Sequence, residues 1–274
     1  MHYFSLNDGN QIPQIGFGTY KLTGSDGVNA IVTALNNGYR LLDSAVNYEN
    51  EGAIGRAIQR SHVNRDQIFI TSKLPGRHHA YRQAISQIQE SLYRTNLDYF
   101  DLYLIHWPNP EEGLYIEAWQ ALIDAQRFGL IKSIGVSNFE PEHINNLIEQ
   151  TNVTPAVNQV ELHPFCSNKK IRTYDEEHKI ITEAWSPLQR GGEVFKEEFI
   201  KDLAAKYHKS PAQIILRWEI QMHVIPIPKA NSYEHQINNL NIFDFKLSNE
   251  EIKRIEDFDK PEGRRFDPNL HEEM

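Results

Sequence analysis

Four ionisable side chains, those of Asp43, Tyr48, Lys73 and His106, follow short apolar runs with the composition of buried strands. Asp43 and Lys73 are 30 residues apart, and Lys73 and His106 are 33 residues apart. Because a strand, a helix and two loops occupy about 30 residues, this spacing predicts that all four lie at the same end of successive parallel strands. A lysine buried there is costly unless it is paired. We therefore interpret the four side chains as candidates for chemistry.

These side chains suit a proton transfer that accompanies the reduction of a carbonyl group. A tyrosine hydroxyl normally loses its proton at about pH 10, and an adjacent lysine ammonium is expected to lower that pKa. Aspartate would keep the lysine charged, and a neutral histidine can polarise a carbonyl oxygen. None of these groups supplies a hydride, so a cofactor is required. Singly, each has a structural interpretation: an ion pair, a core histidine and a tyrosine packed in a turn.

Composition and charge bound the class of protein. The chain has 274 residues, which suits one barrel domain spanning 1–274. Its net charge of −9 argues against a nucleic-acid partner. No apolar run is long enough to span a membrane and no signal peptide is visible, so the expected location is the cytoplasm. The single cysteine, Cys166, is predicted to be a buried or loop thiol without a catalytic role.

The elements alternate along the chain. After a predicted hairpin over 2–14, strands are predicted at 15–19, 39–43, 68–73, 100–106, 133–137, 156–162, 180–185 and 224–228. Helical spacing appears near 26–37, 51–60, 80–96, 115–128, 141–149, 168–178, 196–208 and 249–258, and Ser210-Pro211 and Ser248 with Glu251 are typical helix starts. The pattern predicts a closed (β/α)8 TIM barrel. The alternative is a doubly wound open sheet, but the third glycine of its nucleotide-binding turn is missing after Gly16 and Gly18.

Six segments stand in order and are spread over the whole chain: DSAVNYENE (43–51), ITSKL (70–74), LIHWP (104–108), GVSNF (135–139), NQVELHP (158–164) and IPIPK (225–229). Together they resemble the aldo-keto reductase family. The resemblance implies a (β/α)8 barrel that binds a nicotinamide cofactor across its C-terminal face and reduces aldehydes and ketones reversibly. Among subfamilies, the chain looks most like the short bacterial reductases related to 2,5-diketo-D-gluconate reductase.

The resemblance also implies roles for individual residues. Tyr48 would be the general acid, Lys73 and Asp43 would tune it, and His106 would orient the carbonyl. Ser137, Asn138 and Gln159 match positions that hold the nicotinamide carboxamide, and Trp185 matches the position whose ring stacks on the nicotinamide. The predicted substrate site consists of Tyr20, Tyr48, His106 and Trp107. The remaining predicted cofactor-binding residues are Gly18, Thr19, Asp43, Ser186, Leu188, Lys229, Ala230, Asn231, Ser232, His235, Asn238 and Asn239.

The segment after the last predicted strand departs from the family pattern. Many relatives have serine after the lysine and arginine six positions after it, whereas this chain has Ala230 and His235. Lys229 alone would meet the 2′-phosphate, without a bidentate arginine. We therefore expect a preference for NADPH by a reduced margin, with NADH usable.

Short loops and a mouth lined by Tyr20 and Trp107 suggest an open site for a small polar carbonyl, and we expect a monomer. Arg264 and Arg265 could attract a carboxylate substrate, although two such arginines are more often simply solvated.

Two other functions compete with reduction. A metal-dependent barrel hydrolase would cluster its ligands, whereas His78 and His79 are adjacent on a loop. A nucleotide-binding barrel acting as a non-catalytic regulatory subunit would not need a tuned tyrosine.

Overall fold

Within residues 2–189 and 191–273, which the computed structural model describes, eight parallel strands form one sheet behind an N-terminal hairpin. The strands, hairpin first, are β1 (Tyr3–Ser5), β2 (Gln11–Pro13), β3 (Phe17–Gly18), β4 (Leu41–Asp43), β5 (Phe69–Leu74), β6 (Phe100–Ile105), β7 (Ile131–Ser137), β8 (Val157–Glu161), β9 (Ile181–Trp185) and β10 (Ile225–Pro226). Each predicted strand therefore exists, within a few residues of its predicted ends.

Backbone hydrogen bonds close the sheet into a barrel. Neighbours follow chain order from β3 to β10, and the two outermost strands then meet: Gly16 N donates to Pro226 O at 2.9 Å and Gly18 N to Pro228 O at 3.1 Å. A Cβ on Gly18 would lie 2.8 Å from the Ile227 carbonyl oxygen, so glycine permits this approach. The predicted closed barrel is confirmed, and the open sheet is not formed.

The helices cover the outside of the barrel. In the described part of the chain they are α1 (Gly24–Asn37), α2 (Glu51–Arg60), α3 (Tyr81–Thr95), α4 (Tyr115–Arg127), α5 (Pro141–Thr151), α6 (Lys169–Glu177), α7 (Glu198–Tyr207), α8 (Pro211–Gln221), α9 (Tyr233–Leu240) and α10 (Asn249–Glu256). The predicted starts at Ser210 and Ser248 are both capping boxes. Helix α9 was not predicted; the side chains that it buries are the polar Gln236 and Asn239, whereas Tyr233 and Ile237 are exposed.

The hairpin fills the amino-terminal end of the barrel. Phe4 pairs with Ile12 across β1 and β2, and both side chains pack among apolar residues of the barrel interior such as Leu41, Leu104 and Ile225. Gly9 makes the turn with a φ of 89°. Because this end is packed with apolar side chains, the opposite end, where the strands terminate, is the one open to ligands.

The carboxyl ends of the strands carry the polar residues of the interior. Asp43, Lys73, Gln159 and Glu183 are each at most 2% exposed, and all lie in the strands near those ends. Burying so many polar groups is costly unless they satisfy one another. Among the described residues, no helix is both long and apolar enough to cross a membrane.

Candidate active site

A buried ion pair joins β4 and β5. Asp43 ends β4, and its Oδ1 lies 2.7 Å from Nζ of Lys73, which is fully buried. The ammonium also donates to the Ser44 carbonyl at 2.7 Å. Burial lowers the pKa of Lys73, but the negative charge of Asp43 raises it, and the net shift is upward. Lys73 is therefore a fixed cation in the interior of the barrel.

Tyr48 lies directly above this cation. It ends a short 3₁₀ turn, Val46–Tyr48, that follows β4, and the centroid of its ring is 5.0 Å from Lys73 Nζ. The ring meets Tyr20 on one side at 5.0 Å and His106 on the other at 5.9 Å, both edge to face. Tyr48 is thus held between the cation and the residues at the mouth of the barrel.

The pKa of Tyr48 is raised to about 12. Burial is the largest cause, and the positive charge of Lys73 opposes it. The expectation of a lowered pKa is therefore wrong for this structure: the ammonium acts in the expected direction, but desolvation of the phenolate outweighs it. At neutral pH the hydroxyl carries its proton, as a general acid must before it reacts.

A second carboxyl group, Glu183, belongs to the same network. Gln159 bridges the two carboxylates, since its Nε2 lies 2.8 Å from Asp43 Oδ1 and 2.6 Å from Glu183 Oε2. Burial first, and then the charge of Asp43, raise the pKa of Glu183. Sequence reasoning missed this residue, although an acidic side chain within the apolar strand β9 was a usable signal.

His106 follows β6 and contacts a carboxylate from the end of the chain. Its Nδ1 lies 2.7 Å from Oε1 of Glu273, and each side chain is 12% exposed. Glu273 was also missed by the sequence analysis. The backbone of Glu273 is hydrogen-bonded to the side chain of Asn109, which is 164 residues away in the sequence. No local pattern connects the two segments.

The predicted nicotinamide-binding residues form a connected group. Trp185 Nε1 donates to Asn138 Oδ1 at 2.8 Å, and Asn138 Nδ2 donates to the His106 carbonyl at 3.0 Å. Ser137 is fully buried and donates to the Gln159 carbonyl at 2.8 Å. These bonds fix the indole of Trp185 at the edge of the cleft.

One cleft of about 660 Å³ opens at this end of the barrel. The predicted residues that line it are Gly18, Tyr20, Asp43, Tyr48, His106, Trp107, Asn138, Gln159, Trp185, Ser186, Leu188 and Lys229. Lys73 and Ser137 lie behind this lining, and Thr19 is fully buried with its hydroxyl on the Asp43 carbonyl at 2.7 Å. The structure thus brings the predicted catalytic and nicotinamide groups together.

The predicted adenine-end residues lie farther along, around the start of α9. Ser232 caps this helix by accepting a hydrogen bond from His235 N at 3.2 Å. Lys229, Asn231 and His235 are exposed, and Asn238 is half-buried. The last two predicted residues, Ala230 and Asn239, are buried, and Asn239 bonds to the hydroxyl of Tyr39.

The tail after α10 also contributes to the cleft, which the short loops alone did not suggest. Arg265 and Phe266 line it together with Lys21. The two tail arginines are not simply solvated: Arg264 pairs with Glu140 at 2.6 Å and Arg265 with Glu161 at 3.2 Å.

Two other predicted features can be compared with the structure. Among residues 2–189 and 191–273, no group of three histidine, cysteine or acidic side chains is arranged to hold a metal ion. Cys166 is buried, and burial is the main reason that its pKa rises to about 12. A thiol that stays protonated is a poor nucleophile, in agreement with the prediction.

Comparison with known proteins places this geometry in a family. The aldo/keto reductase family model matches residues 14–260. One relative, 2,5-diketo-D-gluconic acid reductase B of Corynebacterium sp. (strain SHS752001), is 46% identical over 270 residues, covering 98% of both chains. Methylglyoxal reductase DkgA of Escherichia coli (strain K12) is 42% identical over 265 residues, covering 96% of this chain and 95% of the relative.

Solved structures agree with the sequence relatives. An aldo/keto reductase from Brucella melitensis has a TM-score of 0.91 at 41% identity, covering 94% of this chain and 99% of that one. The D53A mutant of Gox0644 in complex with NADPH has a TM-score of 0.94 at 37% identity, covering 99% and 98%. The six segments, the closed barrel and these likenesses agree, and the chain belongs to the aldo/keto reductase family.

Proposed function

We propose that this enzyme reduces small aldehydes, ketones or keto-sugars and that Tyr48 donates the proton. Family membership makes the chain an NADP-dependent oxidoreductase that acts on carbonyl groups. One observation carries the finer proposal. Asp43 contacts Lys73, Lys73 lies against the ring of Tyr48, and Tyr48 and His106 line the same cleft.

The cleft has the groups that a nicotinamide cofactor needs. Trp185 presents a flat indole, and Asn138 and Gln159 present amides beside it. Lys229 lies at the same cleft toward the exposed start of α9. We infer that NADPH is the preferred cofactor; the structurally similar D53A mutant of Gox0644 was solved in complex with NADPH. When bound, this cofactor supplies the hydride.

The residues of the chain then handle the carbonyl oxygen and the proton. His106 holds the oxygen beside Tyr48, whose hydroxyl is protonated at neutral pH. As negative charge grows on that oxygen, Tyr48 transfers its proton, and the Lys73 ammonium stabilises the phenolate that remains. Asp43 and Ser44 keep the ammonium in place.

The substrate class follows from the size and lining of the site. The cleft must hold cofactor and substrate together, and aromatic rings of Tyr20, Trp107 and Phe266 surround the remaining space beside Lys21 and Arg265. This mixture suits small, polar carbonyl compounds. The relatives named for 2,5-diketo-D-gluconic acid and methylglyoxal support the same range.

The test is NADPH consumption against a panel of glyoxals, aromatic aldehydes and keto-sugars, with Tyr48→Phe beside the wild type. We expect Tyr48→Phe to lose activity by at least about 10²-fold while its NADPH affinity is kept. Tyr93→Phe is the matched control, since Tyr93 is 74% exposed. Unchanged reduction in Tyr48→Phe would refute the role of Tyr48, and cofactor binding without any turnover would favour the regulatory subunit.

A further inference from the structure

The tail after α10 (residues 257–273) crosses the mouth of the barrel from the end of β8 to the end of β5. At the β8 end, the Arg265 amide donates to Oε2 of Glu161 at 2.9 Å. Farther along, the ring of His271 lies 4.2 Å from that of Trp107. The tail is therefore fixed at several points before it reaches His106.

The backbone of Glu273 occupies a slot formed by two other loops. Asn109, which is fully buried, accepts from Glu273 N at 3.0 Å and donates to Glu273 O at 2.6 Å. A Cβ on Gly76 would lie 2.1 Å from Glu273 O and 2.0 Å from Nδ2 of Asn109. Because only glycine leaves room there, the position of Glu273 is specified by the surrounding residues and is not an accident of a loose terminus.

The carboxylate of Glu273 is held against His106. Its Oε1 lies 2.7 Å from His106 Nδ1 and accepts a hydrogen bond from Asn47 Nδ2 at 2.7 Å. Its Oε2 accepts from the Gly76 amide at 3.4 Å. The contact between Oε1 and Nδ1 is close but is not a well-aligned hydrogen bond. Burial raises the pKa of Glu273, but the charge of His106 and these donors outweigh it, and the net shift is downward.

The other charged and titratable groups around His106 do not replace this carboxylate. Tyr48 meets the ring edge to face, with the Lys73 ammonium behind it. His79 lies beside Glu273, and burial lowers its pKa to about 4, so it is neutral near pH 7. Arg77 donates to Oδ1 of Asn47 at 2.5 Å. Glu273 is therefore the anion that faces Nδ1.

This arrangement restricts the protonation state in which His106 can help a substrate. An ionised carboxylate only accepts hydrogen bonds, so it favours a proton on Nδ1. A neutral imidazole with that proton has a lone pair on Nε2 and cannot donate to a carbonyl oxygen. If both nitrogens carry protons, Nε2 donates and the ring is a cation, which stabilises a developing alkoxide more strongly. The sequence alone suggests a neutral histidine at this position.

We propose that Glu273 is a positioning residue that holds His106 as an imidazolium, so that its Nε2–H binds the carbonyl oxygen of the substrate. This inference rests on the proposed reductase function. It makes carbonyl reduction dependent on a carboxylate carried by the tail.

The test compares Glu273→Gln with wild type in the full-length enzyme, through the pH dependence of kcat/KM for a reducible carbonyl from the panel with NADPH. Glutamine keeps the backbone contacts with Asn109 and removes only the charge. Glu272→Gln is the matched control, because Glu272 is the adjacent carboxylate and accepts from the Glu111 amide at 2.9 Å. Tm and NADPH affinity are measured for each variant.

We expect Glu273→Gln to lower kcat/KM near neutral pH by about tenfold or more and to move the alkaline limb of the profile about one pH unit or more toward acid. Glu272→Gln should match wild type. In a His106→Asn background, removal of the Glu273 charge should have no further effect.

The inference would be overturned if the alkaline limb of Glu273→Gln lay at the same pH as that of wild type. It would also be overturned if Glu273→Gln lowered kcat/KM as much in the His106→Asn background as in wild type. If Glu273→Gln lowered Tm but left the alkaline limb of the pH profile in place, Glu273 would have a structural role only, and the inference would again be overturned. These outcomes differ from failure of the proposed function, in which the wild type itself reduces no carbonyl on the panel.

Discussion

Replacement of Glu219 by Gln should stabilise the protein in a pH-dependent way. Glu219 is fully buried in α8, and neither carboxyl oxygen has a hydrogen-bond partner among the described residues. Burial raises its pKa well above the ordinary value of 4.5. Because the folded-state pKa is above that of the unfolded chain, there is no penalty below about pH 4.5. Above it, the unfolded chain releases the proton while the folded protein keeps it, so the folded state loses stability as pH rises.

The magnitude follows from the linkage between protons and folding. Each pH unit over which only the unfolded chain ionises costs about 1.4 kcal/mol. The stability advantage of Glu219→Gln over wild type should therefore grow by this amount for each pH unit above about pH 4.5 until the folded carboxyl group ionises as well. Any constant cost of burying the glutamine amide cancels from this slope, because an amide does not titrate.

The assay is urea unfolding of both proteins, followed by tryptophan fluorescence, at several pH values from about 4 to about 7.5. Glu149→Gln, at an exposed position in α5, is the matched control and should give a pH-independent difference. A stability difference for Glu219→Gln that does not change with pH would refute the reasoning, since it would mean that the carboxylate is ionised or compensated in the folded protein.

Three further predictions concern the site and the barrel. Lys73→Met should lower the free energy of unfolding by about 3–5 kcal/mol, because it leaves Asp43 buried without its cation. It should also reduce kcat/KM by at least about 10²-fold; a wild-type Tm and wild-type activity would contradict this prediction. His235→Arg should raise the ratio of kcat/KM for NADPH over NADH by about tenfold or more, since residue 235 lies exposed in the first turn of α9; an NADH preference in wild type would sink the cofactor proposal. Phe4→Ala should lower the free energy of unfolding by about 3 kcal/mol or more, because it leaves a cavity where the hairpin packs into the amino-terminal end of the barrel. KM for NADPH should stay unchanged; a changed KM would show that the hairpin affects the active site.

The sequence predicted the barrel well because its strands are short apolar runs between turn signals, as expected when both faces of a strand are buried. It failed at α9, whose buried side chains are the polar Gln236 and Asn239 and whose apolar Tyr233 and Ile237 are exposed. The prediction of one domain over 1–274 and of a monomer stays a prediction.

The candidate site was predictable to the extent that its residues follow strands. Asp43, Lys73 and His106 come at the ends of successive strands, so their meeting follows from parallel topology alone. The direction of the pKa shift of Tyr48 was not predictable in this way. It depends on whether the charge of Lys73 or the loss of water is the larger effect, and burial of the ring decides that.

The sequence by itself determined the barrel, the family and the meeting of Tyr48 with Lys73 and Asp43, because periodicity and motif spacing are local properties of the chain. Only the tertiary structure decided which distant groups complete them. Gln159 on β8 is hydrogen-bonded both to Asp43 on β4 and to Glu183 on β9. Glu273 contacts His106 because its backbone fits between Gly76 and Asn109. Such contacts arise when the barrel closes and the tail folds over its mouth, and no local pattern encodes them. Because electrostatics depends on distance and burial, the protonation state of Tyr48 belongs to the folded molecule.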